Sequence, residues 1–404
     1  MFNGERENVL IERLVRRQEK ANEQILRELG KVLGEIGQLT PSEAYTIGQQ
    51  LKYGESLQKI VRILSETSRL TEVEIYEMLR GEATYNLDFS KKYFKAREID
   101  FIPYESNLPL QNLVEEVSLA TIGNYRNISN TLGLTFLDSN NNKVTKNITQ
   151  AYNEIVDNAI LNVSTGKQSF QQELERQLKT IGKNGVQSIE YESGRHRRID
   201  SAMRMNLKDG LSQLAIAQQE IVGGQFGNDG WEVTVHSYPA KDHEDIQGHI
   251  FYNDEFNKLQ DYEYFGDIKD VNGRVYTRDG SNHIRPIGEL NCYHVAMAIV
   301  VGVDKPRYSQ EELDKINKDN EKGFDFEGKH YTLYEGTQLQ RRLELEIRRN
   351  RETEVIAKAS GESGKELLED TRATINQLFN KYHELSKVSG LKTKLERTRL
   401  LTKK

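Results

Sequence analysis

Residues 231–248 read WEVTVHSYPAKDHEDIQG. The first five alternate, with Trp231, Val233 and Val235 on one side and Glu232 and Thr234 on the other. That is the period-2 pattern of a half-buried strand. His236 falls on the polar face as the strand ends, His243 follows seven residues later, and the Gln247–Gly248 pair closes the stretch. A second short element, Asn291-Cys292-Tyr293-His294, carries the chain's single cysteine. Histidine and cysteine are residue types that bind zinc, although this spacing is not an established pattern such as paired C-x-x-C. A neutral alternative has the imidazoles tying the loop to the sheet through backbone carbonyls while Cys292 packs as a small apolar group. A third reading takes Asp242, Glu244 and Asp245 around His243 as a metal-dependent nuclease site, in which carboxylates and histidine hold a divalent ion and activate water. The sequence has no G-x-S-x-G, P-loop or HExxH motif to support an enzyme of another class.

Outward from this stretch, the pattern predicts a helix over 199–222 before the strand. The basic run Arg195-His196-Arg197-Arg198 stands at its start, the positive end of the helix dipole. Those arginines are either a solvated patch or a site for an anion, nucleic acid included. After the loop, Ile250-Phe251-Tyr252 and residues 274–277 read as strands, with a turn at 279–282. Residues 290–303 are the most hydrophobic stretch and are expected to be the central buried segment. Ser309-Gln310-Glu311-Glu312 starts a charged helix, and residues 327–334 add an edge strand. Together these predict an α+β domain over 185–335.

The flanks read as helix. Residues 5–38 form one helix, with Ala21 the sole apolar residue between Arg16 and Gln24; that segment is either solvated or a partner-binding arm. Thr40-Pro41-Ser42-Glu43 is a capped helix start, and Thr71-Glu72-Val73-Glu74 looks like a second. Residues 1–84 are therefore read as a helical arm plus a small helical domain. Residues 85–184 form a helical middle region. It opens with an irregular aromatic stretch over 85–109, where Lys91, Lys92, Lys95 and Arg97 interleave with rings that either pack on helices or stack on nucleic acid. Helices over 110–130, 148–163 and 169–181 follow, the last broken by Lys183-Asn184-Gly185. Residues 336–404 are charged helices and a basic tail. In the helix over 337–359, same-helix pairing accounts for the alternating charges. From Leu391 the tail has six Lys/Arg against one Glu. Lys392, Lys394, Arg397 and Arg399 are either a solvated, disordered end or a contact to DNA or an acidic partner.

The fold class is thus mainly α with a smaller α+β domain, long helices flanking a short mixed or antiparallel sheet. Composition agrees. Of 404 residues, 29 % are charged and 36 % hydrophobic, a low apolar share for one large core. Six prolines leave room for long helices. The net charge of −6 gives no whole-protein attraction to nucleic acid. One cysteine excludes an internal disulfide and fits a reducing compartment. No apolar run is long enough for a membrane span, and MFNGEREN lacks the apolar core of a signal peptide. A cytoplasmically made, non-secreted protein is expected.

The motif set resembles the phage minor capsid protein family, minor capsid protein 2, related to the MuF-like minor head proteins. The resemblance is carried by His236, His243, Gln247–Gly248 and Asn291-Cys292-Tyr293-His294. Tyr191-Glu192-Ser193-Gly194-Arg195 before the strand, and Gln338, Gln340-Arg341 and Glu346-Ile347-Arg348 after it, belong to the same set. It covers roughly residues 145–390. Two departures stand out: Tyr238-Pro239-Ala240-Lys241-Asp242 replaces a Gly-x-Arg-Pro between the histidines, and Tyr293 replaces an arginine. The resemblance implies a structural protein of a tailed-phage head, acting in capsid and portal assembly through protein contacts and not as an enzyme. Its partners would be the portal protein, the major capsid protein, sibling copies and packaged DNA. It would reside in the virion, and in the host cytoplasm during assembly. No cofactor is required, with zinc the metal option at the His-Cys set. The alternative is a nuclease-like, metal-dependent DNA-handling enzyme or a DNA-binding protein packaged in or ejected from the head.

Overall fold

The computed structural model describes residues 4–45, 49–165, 170–189, 195–279, 284–288, 292 and 294–398. Helix α1 spans Gly4–Gly37, α2 Pro41–Tyr45, α3 Gln49–Ala96 and α4 Leu108–Asn130. Strands β1 (Leu132–Leu137) and β2 (Lys143–Asn147) lead into α5 (Ile148–Ser164) and α6 (Phe170–Asn184). Strands β3 (Val186–Ile189) and β4 (His196–Arg198) precede α7 (Ile199–Phe226). Next come β5 (Gly230–Val233), α8 (Lys241–Glu244), β6 (Ile250–Tyr252), α9 (Asn253–Gln260), β7 (Gly266–Lys269), β8 (Val275–Arg278) and β9 (Ala296–Ile299). The chain ends with α10 (Gln310–Lys322), β10 (Phe324–Phe326), β11 (Lys329–Tyr331), α11 (Leu333–Ala359) and α12 (Lys365–Ser389). The expected class holds: the protein is 68 % helical with small antiparallel sheets.

The residues form two compact units, each assembled from three separated stretches. The first comprises Met1–Glu12, Val73–Asn124 and Met205–Thr337; the second comprises Arg13–Glu72, Tyr125–Arg204 and Gln338–Lys404. The four segments read from the sequence do not map onto these units: 85–184 is divided between both, and 185–335 loses residues 185–204 to the second.

The second unit has the larger apolar core. Leu29, Leu33 and Ile36 of α1 meet Ile60, Leu134, Phe136, Tyr152, Ile155, Leu178, Ile181 and Ile356. A four-stranded antiparallel sheet, ordered β2-β1-β3-β4, flanks it, with Leu134 paired to Lys146 on one side and Val186 on the other. Helices approach closely at glycine: a Cβ on Gly34 would lie 2.4 Å from the Ser360 carbonyl oxygen. The polar segment of α1 is buried, and hydrogen bonds replace apolar contact there. Gln18 Nε2 donates to the Tyr125 hydroxyl at 2.8 Å and to Thr71 Oγ1 at 3.1 Å, and the Asn22 side chain accepts from Val186 N at 2.8 Å.

Several expectations change here. Thr71 does not start a helix; its hydroxyl bonds the Thr67 carbonyl inside α3. The aromatic stretch from Tyr85 continues α3 as far as Ala96. The β1–β2 hairpin around the expected 138–142 turn was not foreseen, because Leu132–Leu137 is buried along almost its whole length and shows no alternation. In α11 the charged residues pair mainly with other elements: Arg348 with Asp200 and Glu19, Glu352 with Arg198, Glu344 with Tyr382. The described part of the tail packs down. Lys394 N donates to the Tyr382 hydroxyl at 2.7 Å, Gln340 donates to the Lys392 carbonyl at 2.9 Å, and Leu391 is buried.

In the first unit, a three-stranded antiparallel sheet is ordered β6-β5-β9. Strand β5 is central, pairing Trp231 with Phe251 and with Ala298. The apolar stretch expected at the centre forms β9, which is buried yet stands at the sheet's edge. Strand β5 is buried on both faces. Glu232 is accommodated there because its carboxylate accepts from Arg307 N at 2.7 Å. Trp231 stacks on Phe256 at 4.9 Å. Helix α10 begins with the expected capping box of Ser309 and Glu312. No helix among the described residues is long and apolar enough to cross a membrane.

Candidate functional site

Strand β5 ends at Val233, and the chain leaves the sheet to build a polar pocket of its own side chains. Thr234 N donates to the Val295 carbonyl at 2.9 Å, and Val295 N donates back to Thr234 Oγ1 at 2.9 Å. The loop then runs through α8 and returns at Gly248, whose N–H donates to the Val233 carbonyl at 2.9 Å. The return requires glycine: φ is +73°, and a Cβ would lie 2.4 Å from Leu313. This accounts for the second residue of the Gln-Gly pair.

Gln247 is fully buried and organises the loop. Its Oε1 accepts from His236 N at 2.9 Å and lies 3.3 Å from His294 Nε2. Its Nε2 donates to Asn317 Oδ1 at 3.0 Å, and Asn317 Nδ2 donates to the Glu244 carbonyl at 3.1 Å. That chain of bonds begins at a backbone N–H and ends at a backbone carbonyl, so it fixes both amide orientations. Asn317, on α10, was not anticipated; nothing in its spacing marks it.

The His-Cys set converges. Cys292 Sγ lies 3.3 Å from His243 Nδ1 and 3.4 Å from His294 Nδ1. His294 N also donates to the sulfur at 3.3 Å. His243 Nε2 faces the Arg285 carbonyl at 2.8 Å. All three residues are buried, and one nitrogen or sulfur from each lies within 4.8 Å of the others. The His236 ring stands edge-on to His294, with centroids 4.4 Å apart. Asn291, Tyr293, Arg399, the 191–194 approach and the 280–282 turn lie outside the described residues.

Protonation follows this geometry. Burial opposes charge on His243, but the hydrogen bond and charge of Cys292, with Asp242, outweigh it and raise its pKa. Burial pushes the Cys292 thiol up, while His243 and backbone N–H groups bring it below its ordinary value. His294 is held well below the usual range by burial and by His236 and His243, so its ring stays neutral.

The carboxylates of the loop are committed to other partners. Arg285 Nη2 donates to Asp242 at 3.1 Å, and the pairing orients the carbonyl that faces His243. Glu244 takes Lys241 at 3.0 Å. Asp245 is exposed, 3.7 Å from Arg274. Asp242 also lies 3.9 Å from His243 Nε2, while among the described residues the group whose atoms converge as metal ligands would is His243, Cys292 and His294.

The basic residues separate in the second unit. Arg195, Arg197 and Lys392 are exposed, whereas Lys394 and Arg397 are half-buried. Arg198 is buried: its guanidinium grips both oxygens of Glu352, and its Nε donates to Asp200 at 3.2 Å. Asp200 also takes Arg348 and Arg204, and both of these reach Glu19. Burial works to raise the Asp200 pKa, but Arg348, Arg198 and Arg204 hold it far below the carboxylate range.

Comparison with known families finds a match. A family model described as phage minor capsid protein 2 matches residues 5–385. It reaches further toward the N-terminus than the quoted motifs do. No curated protein and no solved structure matches the chain.

Proposed function

This chain belongs to the phage minor capsid protein 2 family, and from that premise we propose that it helps assemble a tailed-phage head by contacting the portal protein, the major capsid protein or sibling copies. A structural role in the virion follows from the family itself. The observation that carries the reading is the extent of the match, residues 5–385 of 404. On this reading the chain is made in the host cytoplasm and joins the particle during assembly. The first unit's His-Gln-Cys loop then serves as a rigid module, since Gln247 ties it to His236 N, Asn317 and His294. Exposed large apolar side chains are the candidate contacts, Val61 and Leu70 in one unit, Tyr262 and Phe265 in the other. Such residues contribute at interfaces when a partner desolvates them. The part of α1 from Arg13 onward and the described part of the tail pack within the second unit.

The test is co-expression with the portal protein alone, with the major capsid protein alone and with both, followed by sedimentation. Co-sedimentation with either assembly supports the proposal, and Phe265→Glu should weaken it if that surface is used. A chain that stays in the slow fraction in all three mixtures overturns it.

A further inference from the structure

We propose that His243, Cys292 and His294 bind a zinc ion that holds the loop of the first unit closed. A metal at this site would be independent of any role in head assembly.

Gln247 is fixed with its carbonyl oxygen toward His294, because its amide nitrogen is spent on Asn317 and that asparagine's own nitrogen on the Glu244 carbonyl. An oxygen acceptor at His294 Nε2 requires a proton on that nitrogen. The neutral ring therefore presents a bare lone pair at Nδ1, which faces Cys292 Sγ at 3.4 Å. The same logic applies to His243. Its Nε2 faces the Arg285 carbonyl at 2.8 Å, which again places a proton there, so Nδ1 and the sulfur 3.3 Å away have one proton between them. The sulfur already accepts the His294 N–H. A thiol has one proton and can satisfy one of the two imidazole lone pairs. The other is left facing sulfur lone pairs in a buried pocket, an arrangement that costs free energy.

A cation with three converging donors removes that conflict. Binding displaces the thiol proton to water, and the thiolate and both Nδ1 atoms donate to the metal. Each imidazole keeps its outer N–H on a carbonyl oxygen, which is the arrangement that orients histidine ligands. The two sulfur–nitrogen spacings fit as well. Zinc–sulfur and zinc–nitrogen bonds of about 2.3 and 2.0 Å at tetrahedral angles put sulfur and nitrogen about 3.5 Å apart, close to the 3.3 and 3.4 Å found. One thiolate with two imidazoles favours zinc over magnesium, calcium or manganese, which take oxygen donors. His236 stands edge-on to His294 beside this group.

The experiment uses the untagged full chain, purified without chelators. Elemental analysis should find about one zinc per chain. Cys292→Ser and His294→Asn should each lower that about tenfold or more, whereas His330→Asn, an exposed histidine on β11, should retain it. Replacing zinc by cobalt in the wild-type chain keeps the test valid if those variants misfold. Cys292 is the sole cysteine, so a cobalt–thiolate charge-transfer band assigns the ligand directly. Folded wild-type protein with zinc below about a tenth of an equivalent and no such band on cobalt titration overturns the proposal. A different metal present at stoichiometric level overturns the zinc assignment.

Discussion

The two units each bury a polar centre, and the two are built on opposite principles. In the second unit, Arg198, Arg204 and Arg348 meet Glu19, Asp200 and Glu352, so three positive and three negative groups neutralise one another. Every carboxylate has an arginine donor from the same network, and what is left over is a donor, the buried Arg348 Nε. In the first unit, His243, His294, Cys292 and Gln247 bring together acceptors in excess of protons. The comparison teaches that burial alone does not distinguish a structural polar cluster from a ligand site. The balance of donors and acceptors does.

The sharpest way to break the comparison is to unbalance the charged centre. Arg198→Ala leaves Glu352 buried beside an unmatched charge and should cost about 3–5 kcal/mol, read as a fall in the urea midpoint. A loss under about 1 kcal/mol would place the network among weak surface pairs.

The second perturbation acts on the other centre alone. A zinc chelator should lower the melting temperature of the wild-type chain by an amount equivalent to about 4 kcal/mol, if free zinc stood near a thousandfold above Kd. The same chelator should not change the melting temperature of Cys292→Ser.

The third concerns pH. The Asp200 carboxyl is held far below its ordinary value, so the unfolded chain, with a pKa near about 3.9, takes up the proton first. Its stabilisation is therefore complete above about pH 5 and declines as pH falls below the unfolded value toward the folded one. Asp200→Asn should cost about 2–3 kcal/mol at pH 7, and the gap to wild type should narrow on acidification. A gap that widens below about pH 4 would contradict the sign.

Smaller effects calibrate these. Gln247→Ala removes the acceptor shared by His236 N and His294 and should cost about 1–2 kcal/mol in thermal melts. Asn147→Ala removes an ordinary helix cap on α5, where the side chain accepts from Gln150 N at 2.9 Å. It should cost about 1 kcal/mol in the same assay, without altering the chelator response.

How much was readable in the sequence follows the same division between local and long-range chemistry. Helix α1 was legible from apolar spacing and α10 from its Ser309 box, because caps and periodicity are local. Thr71 misled because a threonine that caps a helix start can equally bond the carbonyl four residues back within a helix. The β1–β2 hairpin was hidden by a strand buried on both faces. The charges of α11 suggested pairing along the helix, yet Arg348 and Glu352 reach partners about 150 residues away, Asp200 and Arg198. The motif residues pointed to His243, Cys292 and His294, but not to Asn317 or Arg285, which hold their orientations from distant segments. A sequence shows which groups have chemistry to offer. It does not show which protons they keep.

The most direct test of the account is quantitative mass spectrometry of purified DNA-filled particles and empty procapsids, with the portal protein as internal standard. A low, fixed copy number of this chain relative to the portal in both is the predicted result. Absence of the chain from both would contradict the account.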